Sequence, residues 1–294
     1  MNHILHGLGV ALVTPFDKSL QVDWQGLERL LTHTAAGGVD YWVVHGSTGE
    51  AATTSAWEKK EILTYIQAHN HLQRPIVYGL GGNNTQALLE QIATVDFTGI
   101  TAVMSVSPYY NKPSQEGIYE HYKQLAAASP VPIILYNVPS RTGSTIAPET
   151  VIQLSAIDNI IGIKEASGNL VACIEIIKHT PPDFLVIAGD DFMTIPIMAV
   201  GGVGVISVIA NVLPQPMSYL VQAMRQQGHE AAQRHQFELC DLEKLITEGG
   251  NPVAPKQMLA LLGICDPYVR LPLVPSLDEK LLQRISQAMQ PWQM

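Results

Sequence analysis

The chain of 294 residues is long enough for one large α/β domain with a small appendage. Apolar residues make up 47% of the chain and charged residues 15%, a balance that excludes a disordered or fibrous protein and favours a compact one with a well-buried core. The formal charge of −9 is spread along the sequence without a basic cluster, which argues against nucleic acid as a partner.

Short apolar runs rich in β-branched residues alternate with segments of helical periodicity as far as about residue 227. We predict strands at 9–14, 41–45, 75–80, 100–106, 133–138, 160–164, 184–188 and 203–207, with helices between them, for example at 24–36, 57–68 and 86–97. Eight strand–helix units predict an α/β fold, a closed parallel (β/α)8 TIM barrel over residues 1–227. An open doubly wound sheet is the alternative, but the sequence has no dinucleotide-binding fingerprint, which favours the closed barrel.

The pattern changes at Gly228, which ends the eighth predicted helix. From there to residue 294 the sequence shows no strand pattern and has helical stretches near 230–246, 254–262 and 277–289. Residues 228–294 are therefore predicted to form a small C-terminal helical domain.

One uncharged stretch, residues 192–213, is long enough to span a bilayer. Its Pro196, Gly201, Gly202 and Gly204 are more typical of a helix, a turn and a buried strand, so we expect no membrane span. The N-terminus lacks the pattern of a signal peptide. The three cysteines have neither metal-site nor redox spacing, and reduced packing cysteines fit a cytoplasmic protein.

The run 160–164 carries the most chemical information. Its first four residues are apolar, and Lys164 is the only one of the ten lysines that follows such a strand-like run. Residues 167–169 then predict the start of a helix. Burial favours the neutral form of a lysine side chain, and a neutral amine can attack a ketone to form a Schiff base. A lysine that reaches solvent at the rim of the sheet is the alternative, and this stretch alone does not decide between them.

The predicted strands are followed by short polar or glycine-rich clusters, and such strand ends surround the active site of a (β/α)8 barrel. The clusters are 14–16, 45–50, 79–83, 107–111, 136–143, 189–191 and 207–211. Singly they are weak signals, because a turn or a helix N-cap explains several of them. Arg141 is expected at the same barrel mouth as a lysine and a tyrosine, which favours anion binding over a solvated charge.

Several of these stretches match a known pattern. Residues 46–50 (GSTGE), 136–139 (YNVP) and 162–168 (GIKEASG) resemble the signatures of the class I pyruvate aldolase-like superfamily, which includes N-acetylneuraminate lyase. Residues 109–117 and 140–143 resemble the dihydrodipicolinate synthase family within it. The likeness extends from Gly9 into the C-terminal helices, where Asn251-Pro252 and Arg270-Leu271-Pro272 also match.

The resemblance implies a catalytic set of four residues. Lys164 would form the Schiff base with pyruvate, and Tyr136 would transfer protons at the reacting centre. Thr48 and Tyr110 would complete a hydroxyl relay to solvent. No metal and no cofactor is implied.

The resemblance also implies binding roles. Ser47 and Thr48 would hold the carboxylate of pyruvate with hydroxyls and amides, and Arg141 would hold the carboxylate of L-aspartate 4-semialdehyde. The backbone at Gly189 and Ile206 would line the pyruvate pocket. These substrates imply a lyase of lysine and diaminopimelate biosynthesis, assembled as a homotetramer of tight dimers in which Tyr110 reaches the neighbouring site.

Two other functions stay open at this point. A retro-aldolase acting on a sugar acid, such as N-acetylneuraminate or a 2-keto-3-deoxy acid, is favoured slightly by Ser47, since the synthases usually have a threonine there. A barrel that binds small anions without catalysis is disfavoured by the complete Lys164, Tyr136, Tyr110 and Thr48 set. In lysine-inhibited members, two histidines and a glutamate contact the effector; the matching positions here are Ala56, Lys59 and Ala87, which predicts weak inhibition by L-lysine.

Overall fold

The computed structural model describes residues 4–276 and 278–293. Eight strands form one closed barrel in chain order, with helices between them, so the predicted (β/α)8 barrel is confirmed. The strands are β1 Gly7–Ala11, β2 Tyr41–Val44, β3 Ile76–Gly79, β4 Ala102–Val106, β5 Ile133–Asn137, β6 Ile160–Glu165, β7 Leu185–Ala188 and β8 Gly204–Ser207. β1 pairs with β2 in parallel, and each strand from β3 to β7 pairs in parallel with the next.

Twelve α-helices occur in the described part of the chain. They are α1 Trp24–Ala36, α2 Ala56–Ala68, α3 Thr85–Ile92, α4 Gln115–Ala128, α5 Pro139–Thr142, α6 Pro148–Leu154, α7 Leu170–His179, α8 Thr194–Ala199, α9 Pro214–Gln226, α10 His229–Gly249, α11 Val253–Leu261 and α12 Glu279–Met289. Single 3-10 turns lie at Asp191–Met193, Ile209–Asn211 and Gln290–Trp292. No helix in this part of the chain combines the length and hydropathy that a bilayer span requires.

The chain divides into two compact units. The first unit comprises residues 4–7 and Pro75–Ile206, and therefore holds β3 to β7 with the helices between them. The second unit comprises Leu8–Arg74 and the described residues of 207–293, which include α1, α2 and α9 to α12. The domain boundary between residues 227 and 228 stays a prediction.

The strand residues are almost all buried, as expected for a parallel barrel that is covered on its outer face by helices. β1, β2, β5 and β7 have no exposed or half-buried residue. This is why the sequence shows continuous apolar runs instead of the alternation of a half-buried sheet.

One helix ends earlier than its periodicity predicts. The pattern predicts a helix over 86–97, but α3 ends at Ile92. The hydroxyl of Thr94 donates to the carbonyl of Gln91 at 2.9 Å, and Asp96 accepts from the amide of Thr98 at 2.9 Å. Such local bonds from short polar side chains compete with the helical ladder, which explains the early end.

The C-terminal helices occur where the periodicity predicts them. α10 and α11 follow Gly228, whose φ is +92°, and each begins one residue before its predicted start. α12 begins at Glu279 after an Asp278 N-cap; the predicted start, Leu277, lies outside the described residues.

Candidate active site

Lys164 lies in β6, the strand of the first unit that ends at Glu165. Its register partners are Tyr136 in β5 and Ile187 in β7. The side chain is only 3% exposed, and its Nζ lies 4.5 Å from the centroid of the Tyr136 ring, which is itself buried. The strand thus presents a buried amine beside a phenol, which suits attack on a carbonyl followed by proton transfer.

Gly189 follows β7 and lies directly against the stem of Lys164. Its amide donates to the carbonyl of Glu165 at 2.8 Å. A Cβ at this position would lie 2.7 Å from Cβ of Ala166 and 3.0 Å from Cγ of Lys164, so a side chain does not fit. The structure therefore brings Gly189 and Lys164 together. Ile206, in β8, is fully buried.

A buried amide–carboxylate pair joins the ends of β5 and β6. Asn137 donates through Nδ2 to Glu165 at 2.8 Å, and its Oδ1 accepts from the amide of Ile146 at 3.0 Å. Glu165 also accepts from the amide of Ser167 at 2.6 Å. Asn137 and Glu165 are 1% exposed, so these bonds are shielded from water. The pair closes the loop of residues 138–146, which carries Arg141.

Arg141 is an exposed residue of the short helix α5. Gly143 ends this helix in the left-handed region, with φ +74°. The amide of Tyr110 donates to the carbonyl of Thr142 at 3.4 Å, and Cε of Lys112 would lie 2.9 Å from a Cβ at position 143. The turn that carries Tyr110 therefore packs against the helix that carries Arg141. The Tyr110 side chain is 87% exposed.

Ser47 and Thr48 lie in the second unit, in the loop after β2. Ser47 is exposed, whereas Thr48 is 2% exposed and accepts a hydrogen bond from Nδ2 of Asn251 at 2.9 Å. His45 and Glu50, which flank the pair, have φ values of +56° and +53°. Left-handed backbone is uncommon for residues other than glycine, so this loop is held in an unusual conformation.

The sequence prediction missed an ion pair in the second unit. Lys256 is fully buried in α11 and donates to Glu50 at 2.6 Å. The sequence predicts a helix around Lys256, but it did not lead us to expect that the lysine side chain is buried. A signal was present, because Lys256 is the only charged residue of α11, between Val253-Ala254-Pro255 and a further apolar stretch.

His45, between β2 and Gly46, is buried as well. Its side chain is 4% exposed, and its Nε2 lies 3.0 Å from the carbonyl oxygen of Lys59. Burial lowers the pKa of His45 to about 4. Among residues 4–276 and 278–293, no three His, Cys, Asp or Glu side chains lie close enough to hold a metal ion.

Comparisons with known proteins give one answer. The chain matches the model of the dihydrodipicolinate synthetase family over residues 4–290. A 4-hydroxy-tetrahydrodipicolinate synthase from Cytophaga hutchinsonii is 46% identical over 286 residues, which cover 97% of this chain and 96% of the relative. The crystal structure of dihydrodipicolinate synthase from Aquifex aeolicus is 33% identical, covers 98% of both chains and has a TM-score of 0.93.

A further solved structure, the chloride-inhibited dihydrodipicolinate synthase from Acinetobacter baumannii complexed with pyruvate, is 35% identical. It covers 97% of this chain and 98% of its own, with a TM-score of 0.93. Sequence and fold agree along almost the whole length, and the chain belongs to the dihydrodipicolinate synthetase family.

Proposed function

We propose that the chain is a 4-hydroxy-tetrahydrodipicolinate synthase, a lyase that condenses pyruvate with L-aspartate 4-semialdehyde through a Schiff base on Lys164. The observation that carries the proposal is the buried amine of Lys164, 4.5 Å from the centre of the Tyr136 ring. The Cytophaga hutchinsonii relative has this function by name, and the Acinetobacter baumannii relative was solved with pyruvate. The relatives from Cytophaga hutchinsonii, Aquifex aeolicus and Acinetobacter baumannii are all named as synthases, and none is named as a sugar-acid lyase.

The chemistry proceeds through an enamine. The Nζ of Lys164 attacks C2 of pyruvate, and water leaves to give an imine. Loss of a proton from C3 gives the enamine, whose C3 forms a carbon–carbon bond with the aldehyde carbon of the semialdehyde. The amino group of the adduct then displaces Lys164 as the ring closes. Tyr136 transfers the protons, and Thr48 and Tyr110 relay them to solvent.

The binding roles follow from the resemblance of the motifs. Ser47 and Thr48 bind the carboxylate of pyruvate, and Arg141 binds that of the semialdehyde through a charge-assisted contact. Gly189 and Ile206 line the pyruvate pocket. The close packing of Gly189 on the Lys164 stem supports this part of the proposal.

The assembly we propose is a homotetramer of tight dimers in the cytoplasm. The first unit exposes apolar side chains at several places, among them the Tyr110 turn and helix α7, where Val171 is 72% and Ile174 44% exposed. Large exposed apolar groups favour burial against partners. The three free cysteines suit a reducing compartment.

A mixing experiment tests the dimer. A Tyr110→Phe subunit refolded with a Lys164→Ala subunit gives a hybrid in which one site has both groups intact, if Tyr110 acts in the neighbouring site. We expect partial recovery of activity. If the mixture is no more active than the unmixed variants, each chain works alone.

The function itself is tested by trapping and turnover. Sodium borohydride with pyruvate should add a covalent mass to Lys164 in the wild type and none in the Lys164→Ala variant, with circular dichroism as the control for folding. Turnover with pyruvate and L-aspartate 4-semialdehyde should exceed cleavage of N-acetylneuraminate. Absence of any mass increase in the wild type would contradict the proposal.

Arg141→Ala separates the two substrates. We expect it to raise the KM for the semialdehyde about ten- to a hundredfold, since a charge-assisted hydrogen bond is lost. Borohydride trapping of pyruvate should survive. Equal loss of both would assign Arg141 a structural role instead.

A further inference from the structure

The loop of residues 46–54, here called the β2 loop, is held by a segment that follows it by about two hundred residues. Both belong to the second unit. The segment, residues 251–270, contributes the side chains of Asn251, Lys256 and Arg270. The β2 loop carries Ser47 and Thr48, so the contacts act on the residues that we assign to pyruvate.

The β2 loop needs such support because of its backbone. Glu50 has a φ of +53° and His45, just before the loop, a φ of +56°. Left-handed residues with a Cβ cost free energy and persist only where surrounding contacts hold them. The bonds within the loop all end on carbonyl oxygens: the amides of Gly49, Glu50, Ala51 and Thr53 and the hydroxyls of Thr53 and Thr54 donate to Gly46, Ser47 or Glu50. None of these bonds holds the carboxylate of Glu50.

The central support is the ion pair of Lys256 and Glu50. Their side chains are 0% and 1% exposed, and Nζ lies 2.6 Å from Oε1. Lys256 also donates to the carbonyl of Tyr268 at 2.8 Å and lies 4.2 Å from the centroid of the Phe16 ring. Burial lowers the pKa of Lys256, and the Glu50 carboxylate opposes that shift.

Arg270 completes the hold on the loop. Its amide donates to the second carboxylate oxygen of Glu50 at 2.9 Å, and its guanidinium donates to the carbonyl of Thr53 at 3.0 Å. The same guanidinium makes two bonds to Glu58, at 2.6 and 3.0 Å, and lies over the Phe16 ring. Both oxygens of Glu50 are therefore satisfied, which a buried carboxylate requires.

A buried ion pair is weak evidence for stability, since well-packed apolar residues often do as well or better. Apolar residues could replace the stability of the pair, but they would not hold a carboxylate at a fixed position as Lys256 does. Here that carboxylate belongs to a residue two positions after Thr48. Asn251, from the same segment, donates directly to the hydroxyl of Thr48.

We propose that Lys256 is a positioning residue for pyruvate: by holding Glu50, it fixes the β2 loop so that Ser47 and Thr48 meet the substrate carboxylate. The inference rests on the proposed function. Lys256, although far from Lys164 in sequence, would then affect the affinity for pyruvate and not that for the semialdehyde.

The test compares three forms of the full-length protein. Lys256→Met leaves the Glu50 carboxylate without its cation and can unfold the chain, so the double variant Lys256→Met with Glu50→Gln carries the test. It removes both charges and keeps an oxygen that accepts from the amide of Arg270. The control removes an exposed ion pair of the same unit, Arg284 and Glu248, whose atoms lie 2.7 Å apart, by Arg284→Met with Glu248→Gln.

In the double variant we expect the KM for pyruvate to rise about ten- to a hundredfold, the loss expected when one hydrogen bond to a charged group is misplaced. The KM for the semialdehyde should stay within about twofold; kcat does not discriminate here, because Thr48 also belongs to the proposed proton relay. Amide hydrogen exchange in residues 46–54 should become faster. The control should match the wild type in all three.

Two results would overturn the inference. One is a double variant with wild-type pyruvate KM and wild-type exchange in the β2 loop. The other is an equal rise in both KM values, which indicates a general effect on the fold. Failure of the proposed function is distinguishable, because the wild type itself would then not be trapped by borohydride with pyruvate.

Discussion

Gly189→Ala tests the geometry around Lys164 with the addition of one methyl group. The new Cβ would lie 2.7 Å from Cβ of Ala166 and 3.0 Å from both the carbonyl oxygen of Glu165 and Cγ of Lys164. Carbon atoms in contact normally lie about 3.5–4.0 Å apart, so the two carbon neighbours are too close by about 0.5–1.3 Å, and the carbonyl oxygen is crowded as well. Two of them are fixed by the backbone of β6 and its extension. The stem of Lys164 or the end of β7 must therefore move.

The expected cost has two parts. Overpacking of this size destabilises a protein by about 1–3 kcal/mol. Movement at the end of β7 also weakens the bond from the Gly189 amide to Glu165, which is 2.8 Å in the native chain. A displacement of about 1 Å at a reacting group reduces the rate by about a hundredfold. We therefore expect imine formation to suffer more than folding.

The assay is the rate of borohydride trapping with pyruvate, measured beside thermal unfolding. Gly82→Ala is the matched control, because the three atoms nearest to a Cβ there all belong to Leu88 and lie at 3.4 Å or more. We expect trapping to slow by about a hundredfold in Gly189→Ala and by less than about twofold in Gly82→Ala. A Gly189→Ala variant that is trapped at the wild-type rate would refute the inferred position of the reactive amine.

Three further predictions concern other parts of the chain. Glu165→Gln should raise the KM for the semialdehyde by about tenfold, because the loop around Arg141 loses a charged anchor. Borohydride trapping of pyruvate should stay intact, and a loss of trapping as large as the rise in KM would contradict this prediction. Free L-lysine should inhibit only weakly at millimolar concentration, since Ala87 replaces a carboxylate; saturation below millimolar in a steady-state titration would contradict it. Burial lowers the pKa of His121 to about 4, and the unfolded chain binds the proton first. His121 should therefore remove up to about 3 kcal/mol of the free energy of unfolding between pH 6.5 and 4, in addition to the contribution of His45. Chemical denaturation of His121→Gln should show a smaller dependence, and an unchanged one would exclude His121 as the cause.

The sequence predicted what depends on neighbours along the chain. Helix α1 spans the predicted residues 24–36, and Lys164 lies in the predicted strand, because burial on both faces leaves a continuous apolar run. The predicted end of α3 was wrong because the hydrogen bond from the Thr94 hydroxyl to Gln91 depends on a side chain, which hydrophobic periodicity does not take into account.

Contacts between distant residues were beyond local pattern. Glu50 and Lys256 are 206 residues apart, and nothing in either segment names the other as its partner. Asn137 and Glu165 were known only as members of motifs, although their side chains bond to each other. The roles of Ser47 and Thr48 came from resemblance, since two hydroxyl residues in a turn have many uses.

The division of the chain bears on the order of folding. The first unit is nearly continuous in sequence, whereas the second joins Leu8–Arg74 to residues that begin at 207. During synthesis the β2 loop therefore lacks its supporting contacts until α11 has been made. Bringing two segments about two hundred residues apart together costs conformational entropy, and their contacts offset that cost only once they have formed. We expect pulsed hydrogen exchange during refolding to protect β4 to β6 before β1 and β2. A ribosome-bound chain that stops before residue 250 should accordingly hold Lys164 in place while Ser47 and Thr48 still lack their anchor.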